Sequence, residues 1–93
     1  MYVKKDILKL RSLLLSCIGE EIIIRKDKSG KGIYIKEIRY LLCDVNNNFI
    51  VVKKIENGQK YIETYSFNSI LSEGFTVFLN NKEELKLLLK KNA

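Results

Sequence analysis

The chain contains no histidine, no proline and no tryptophan, and only two cysteines among its 93 residues. Without histidine it lacks the commonest general base, and the sparse cysteines remove most zinc-binding arrangements as well. The acidic pairs Glu20–Glu21 and Glu83–Glu84 are adjacent in sequence, so their carboxylates do not converge as those of a catalytic dyad do. The sequence therefore predicts a protein that is not an enzyme, with no catalytic residues, no cofactor and no metal site.

Long apolar runs are also missing. No segment reaches the roughly 20 apolar residues that a membrane helix requires. Lys9 and Arg11 interrupt the apolar residues near the N-terminus, where a secretion signal needs an unbroken run. Cys17 and Cys43 are too few and too far apart for a disulfide framework, and they are typical of core residues in a reducing compartment. We therefore expect a cytoplasmic protein without a membrane segment.

Positive charge is in excess. Lys and Arg total 17 against 11 Asp and Glu, which gives a formal net charge of +6. Such a charge favours approach to nucleic acid, although lysines spread over a solvated surface give the same count. The densest cluster lies in a Gly-containing loop, which is either a solvated turn or a contact for RNA or DNA. Its candidate nucleic-acid-binding residues are Arg25, Lys26, Lys28, Lys31 and Tyr34.

Residues 1–19 have the pattern of an amphipathic helix within a chain that is short enough to be a single domain. Leu10 and Leu14 fall on one apolar stripe, with charged residues opposite. Asp6 is suited to capping the first turn, and Gly19 to ending the helix, because glycine tolerates the left-handed conformation that closes many helices. The helix is thus predicted from Asp6 to residue 18.

Strand-like patterns follow throughout residues 20–79, in the runs EEIIIRK, IYIKEIRYLLCDV, FIVVKKIE, QKYIETYSF and GFTVFL. Asn57 and Gly58 predict a two-residue hairpin between the third and fourth runs. A phase change near Tyr40 to Leu42 predicts a bulge or bend in the second. Together these features predict a mainly β protein with flanking helices, built on a small five-stranded SH3-like barrel. An OB-type barrel usually carries a helix between strands three and four, where this chain has only ENGQ.

The stretch TYSFNSILSE, between the fourth and fifth runs, abandons the alternation of a strand. Ile70 and Leu71 are adjacent and sit among Ser and Asn, which suits a single 3₁₀ turn. We expect these two side chains to plug one end of the barrel.

Residues 80–93 predict a second helix, from Lys82 to Lys91, with Asn80 or Asn81 as its cap. Two interpretations of its apolar face are open: it packs on the barrel to enlarge a small core, or it is the contact of a homodimer. The residues of this face are Leu85, Leu88 and Leu89.

The order of these features resembles the Veg family, small proteins of Gram-positive bacteria linked to biofilm regulation and spore outgrowth. The most specific family segment is VSYSYxDVLTE, and the resemblance spans about residues 7–79. The matching residues here are Thr64, Tyr65, Ser66, Phe67, Ser69, Ile70, Leu71, Ser72 and Glu73. Ser69 replaces the family's Asp, which implies a weaker cap for the turn. The basic loop departs from the family, since Lys31 is followed by GIYIK instead of further basic residues.

The resemblance implies a non-enzymatic regulatory adaptor that acts through protein contacts and modulates a transcriptional regulator. The alternative, from charge and aromatic content, is a nucleic-acid-binding small β-barrel that uses the basic loop. The two readings differ in partner: a protein for the first, RNA or DNA for the second.

Overall fold

The computed structural model describes residues 4–27, 35–72 and 74–91, and it confirms a mainly β protein with a helix at each end. The five strands form one antiparallel sheet in the order β4–β3–β2–β1–β5. The elements are α1 (Lys4–Leu15), β1 (Glu21–Asp27), β2 (Ile35–Val45), β3 (Phe49–Glu56), β4 (Gln59–Ser66), α2 (Phe67–Ile70), β5 (Phe75–Phe78) and α3 (Leu85–Lys91).

Among the described residues the sheet is not closed, because β4 and β5 are its two edges. The barrel part of the prediction is therefore not confirmed. The edge strands nevertheless approach each other through side chains, since the ring centroids of Tyr65 and Phe75 lie 5.4 Å apart. The short helix α2 joins the two edges and buries Phe67 and Ile70. At this seam side-chain packing takes the place of backbone hydrogen bonds.

One face of the sheet, the inner face, carries the core. Alternation along the strands directs most of their buried apolar residues there. Helices α1 and α3 cover one end of this face, and Leu85 and Leu89 of α3 are buried. The apolar face of α3 thus belongs to the core, which supports the packing interpretation over a dimer contact. The buried strand residues include Ile22, Ile24, Tyr40, Leu42, Ile50, Val52, Phe75 and Val77.

The predictions of a hairpin turn between β3 and β4 and of a bulge in β2 are confirmed. Asn57 and Gly58 have φ angles of 53° and 78°, as a two-residue hairpin turn requires, and β3 pairs with β4 along its whole length without a register shift. The pairing of β2 with β3 shifts between Leu42 and Asp44, next to the predicted change of phase. The bulge thus lies near the end of β2, just after the predicted segment.

The ends of α1 differ from the prediction. The helix already includes Lys4, so Asp6 lies in its first turn and is not the cap. It ends at Leu15, and a turn leads on to Gly19, whose φ is +90°. The Gly19 N–H donates to the carbonyl of Leu42 at 2.8 Å, which ties this turn to β2. Gly19 therefore connects the turn after α1 to the sheet, and it does not cap the end of the helix.

The late turn is α-helical, so the prediction of a 3₁₀ turn was wrong. The N–H of Leu71 donates to the carbonyl of Phe67, four residues earlier, at 3.0 Å. The N-cap of α2 is Ser66, whose Oγ accepts a hydrogen bond from the N–H of Ser69 at 3.1 Å. Ser69, which was predicted to be the cap, is therefore the residue whose N–H is capped. Ile70 and Leu71 are buried, although the barrel that they were predicted to plug is not confirmed.

The start of α3 also differs. Lys82 has a φ of +69°, a left-handed conformation that cannot continue into a right-handed helix. The Asn81 Oδ1 accepts from the N–H of Glu83 at 3.0 Å, and Glu84 forms a bridge with Phe78 of β5. The helix therefore begins at Leu85 and not at Lys82.

Candidate functional site

The predicted basic cluster is divided by the geometry of β1. Arg25 and Lys26 are neighbours on this strand, so their side chains leave opposite faces of the sheet. The Arg25 guanidinium lies 5.7 Å from the ring centroid of Phe78 on the outer face. The Lys26 Nζ lies 4.8 Å from the ring centroid of Tyr65 on the inner face. The remaining predicted residues, Lys28, Lys31 and Tyr34, lie outside the described residues.

Lys26 has a second cation on its own face of the sheet. Its Cα partner across the β1–β2 ladder is Lys36, which is exposed. Like charges directly opposite each other destabilise an antiparallel pair. The ammonium group of Lys26 is held over Tyr65 by a cation–π contact, which supplies a partial compensation. A bound anion would relieve the remaining repulsion.

Behind Lys26 the inner face holds a hydrogen-bonded cluster of Tyr40, Glu63 and Tyr65. The Tyr40 hydroxyl donates to Glu63 Oε2 at 2.6 Å and lies 3.0 Å from the Tyr65 hydroxyl. Since Tyr40 has a single proton to donate, Tyr65 is the donor in the second bond. Burial raises the pKa of Tyr40 strongly, and the bonds to Glu63 and Tyr65 raise it further. The three side chains therefore form a hydrogen-bonded group in which the Tyr40 hydroxyl stays protonated, and this group links β2 to β4.

The segment that carries the family resemblance has structural roles in its described part. Tyr65 belongs to the inner cluster, Ser66 caps α2, and the Ser72 hydroxyl donates to the carbonyl of Ser69 at 2.6 Å. Thr64 faces outward on β4. Phe67, Ile70 and Leu71 are buried. Glu73 lies outside the described residues.

The outer face of β3 and β4 carries exposed apolar side chains, which sequence periodicity did not single out. Ile55 and Ile62 are 69% and 65% exposed, and Phe49 is 37% exposed. Val51, half-buried, lies between them on the same face of β3. No described helix or strand covers these four residues, which we call the outer patch. The two-residue turn at Asn57 and Gly58 fixes the register and could have placed them on one face.

Lysines alternate with isoleucines across the outer patch. Lys53 is the Cα partner of Ile62, and Ile55 is the partner of Lys60. Side chains that are opposite in such a ladder lie side by side on one face. The surface thus presents apolar contact area with positive charges set into it, and it suits a partner surface that is apolar and acidic.

Two concavities also lie on the surface, and the first includes Lys36 and Ile55 of the sites described above. β2 and β3 separate beyond the pair Leu41 and Lys53, and a cleft of about 330 Å³ opens there with three cations and two carboxylates among its lining residues. A groove of about 670 Å³ runs beside α3, between Phe78, Leu87 and Leu88. The cleft between β2 and β3 has charges of both signs, and the groove beside α3 has a mainly apolar lining. Neither lining has the arrangement of a recognisable catalytic site.

The described residues hold no group of three or more His, Cys, Asp or Glu side chains that could bind a metal ion. Cys17 and Cys43 are free, and burial raises the pKa of the Cys17 thiol. No helix in the described ranges is long and apolar enough to span a membrane. Comparison with family models, with curated proteins and with solved structures finds no match to this chain.

Proposed function

We propose that this chain is a non-enzymatic regulatory adaptor that binds a protein partner on the outer patch. The observation that carries the proposal is the pair of exposed isoleucines, Ile55 and Ile62, on a sheet face that no described element covers. Exposed and contiguous apolar side chains on a small domain are characteristic of protein interaction sites. The helices cannot serve to cover this face, because they pack on the inner face instead.

The lysines of the patch define the chemistry of the partner. Lys53 and Lys60 stand beside the isoleucines, so a complementary surface places carboxylates among apolar side chains. The resemblance to the Veg family adds the class of partner, a transcriptional regulator in the cytoplasm of a Gram-positive bacterium. Association is then weakened by salt, since the charges lie at an exposed rim.

The test compares two exposed apolar residues on different surfaces. Ile55→Ser removes apolar area from the outer patch, and Leu87→Ser makes the same kind of change on α3, where Leu87 is 57% exposed. Proteins captured on the wild-type chain are purified and titrated against all three forms. We expect Ile55→Ser to weaken binding roughly ten- to a hundredfold and Leu87→Ser to leave it unchanged. Equal binding of Ile55→Ser and wild type by every captured protein refutes the proposal.

Nucleic-acid binding is the second candidate, and the like-charged pair of Lys26 and Lys36 favours it. The cation–π contact with Tyr65 holds the Lys26 ammonium group on this face, where a phosphate group can bind it. Lys36→Glu replaces the repulsion by an attraction, so it raises stability while it weakens RNA or DNA binding. Anisotropy titrations at two salt concentrations test this, with Lys5→Glu on α1 as the control of equal charge change. An affinity that Lys36→Glu leaves unchanged excludes the site.

A further inference from the structure

The two edges of the sheet differ in how they are protected. β5 has four residues, Phe78 forms a bridge with Glu84, and the N–H of Leu79 donates to the carbonyl of Glu83 at 2.9 Å. β4 has eight residues, pairs with β3 without a register shift and contains no proline. No described strand forms hydrogen bonds along its free side, and the contact with β5 through Tyr65 and Phe75 lies at the end of β4 away from the hairpin turn. A long and regular edge of this kind is a template for pairing with another strand.

The hairpin turn determines which backbone groups of β4 face that free side. In a two-residue hairpin the residues that flank the turn, here Glu56 and Gln59, exchange both hydrogen bonds, and every second pair after them does the same. The N–H of Phe67 donates to the carbonyl of Asn48 at 3.0 Å, which continues this series. The residues between them direct N–H and C=O to the free side: Lys60, Ile62, Thr64 and Ser66.

We propose that β4 pairs antiparallel with β4 of a second copy of this chain, around a twofold axis at Ile62. Only pairings between edge-directed residues make hydrogen bonds, which leaves a few registers. An axis at Glu63 places two carboxylates directly opposite each other, which is destabilising. An axis at Tyr61 lets only Lys60 and Ile62 of each copy pair before the Gly58 turn is reached. An axis at Ile62 avoids opposed carboxylates and lets Lys60, Ile62 and Thr64 pair, and the pairing then ends before Ser66, where the chain turns into α2.

This register is self-complementary in its side chains. Ile62 meets Ile62 of the second copy on the outer face, and Lys60 meets Thr64. On the inner face Tyr61 meets Glu63, so no like charges are opposed. The two sheets become one, and the exposed isoleucines of both copies join in a single stripe. Pairing goes beyond the proposed function, because it needs no other protein.

Cross-linking tests the position of the axis. The Cα atoms of a hydrogen-bonded antiparallel pair are about 5.5 Å apart, within the range of a disulfide. Ile62→Cys is therefore expected to form a covalent dimer on oxidation. Ile55→Cys is the matched control, because Ile55 is equally exposed on the same face but lies one strand away from the edge. Cross-linking of Ile55→Cys as readily as Ile62→Cys overturns the proposed axis.

Light scattering over a dilution series tests the dimer itself. We expect twice the mass of one chain, and tighter association in added salt, because each copy carries a net charge of +6. Thr64→Pro removes an edge-directed N–H and no bond to β3, so it gives a monomer with an unchanged circular dichroism spectrum. A wild-type chain with the mass of one copy at all concentrations overturns the dimer. That result leaves the proposed function standing, since a partner protein can bind Ile55 and Ile62 on a single copy of the chain, without pairing between two β4 strands.

Discussion

Replacing Tyr40 by phenylalanine removes one hydroxyl from the inner cluster and keeps the ring that fills the core. Tyr40 is 2% exposed, and its hydroxyl lies 2.6 Å from the Glu63 carboxylate and 3.0 Å from the Tyr65 hydroxyl. A hydrogen bond to a charged group contributes about 1.5–3 kcal/mol, and a neutral one about 1 kcal/mol. We expect Tyr40→Phe to lower the free energy of unfolding by about 2.5–4 kcal/mol, measured by urea denaturation at neutral pH.

Tyr61→Phe provides the control for this change. Its hydroxyl donates to Gln59 Oε1 at 2.8 Å, but Tyr61 is 42% exposed and water replaces the bond. The cost of this variant is expected to be under about 0.5 kcal/mol. A double-mutant cycle with Glu63→Ala, which removes the acceptor, then isolates the bond between Tyr40 and the carboxylate. Equal destabilisation by Tyr40→Phe and Tyr61→Phe, or a coupling of zero, would refute the role of the cluster.

The remaining predictions concern titration, turns and packing. The pKa of Tyr40 in the folded state is raised above its ordinary value of 10. The contribution of Tyr40 to the free energy of unfolding is therefore complete below pH 10, and above pH 10 it falls by up to about 1.4 kcal/mol per pH unit. Tyr40→Phe is expected to remove this fall from the pH profile of the free energy of unfolding. Gly58→Ala costs about 1 kcal/mol in urea denaturation because of its φ of +78°, although nothing lies within 4 Å of an added Cβ. Ser66→Ala removes the cap of α2 and lowers stability by about 1 kcal/mol in the same assay. Leu85→Ala costs about 2–5 kcal/mol because the residue is fully buried, whereas Leu87→Ala is nearly neutral; similar thermal unfolding of the two would contradict the assignment of α3 to the core.

Local patterns in the sequence predicted the elements well. Alternation located all five strands, and Asn57 with Gly58 defined the one hairpin whose geometry follows from two residues. The start of α3 was missed because Lys82 adopts a left-handed conformation, which no local preference of lysine indicates. Closure of the sheet was also beyond local patterns, because it depends on how far the whole sheet curls.

The sequence predicted the candidate binding surfaces less well than it predicted the helices and strands. Arg25 and Lys26 form a cluster along the chain, but strand geometry places them on opposite faces. Tyr40 meets Glu63 and Tyr65 although β3 separates β2 from β4, because the sheet curls and brings Tyr65 close to Lys26 of β1 and Phe75 of β5. By contrast, the outer position of Ile62 follows from the hairpin alone. Local sequence patterns do not specify contacts between side chains on different strands, because these contacts depend on the registers of several strand pairs.

The pairing of β1 with β5 has a consequence for the order of folding. Ile23 and Phe78 are Cα partners although 55 positions separate them in the chain (78 minus 23). Closing so long a loop has a larger entropic cost than closing the hairpin of β3 and β4, whose strands are joined by two residues. Until β5 pairs with β1, the backbone N–H and C=O groups on one side of β1, the strand that contains Ile22 and Ile24, have no strand partner. The β3–β4 hairpin is thus the natural nucleus, and the last step of assembly is the one that protects β1 from other chains.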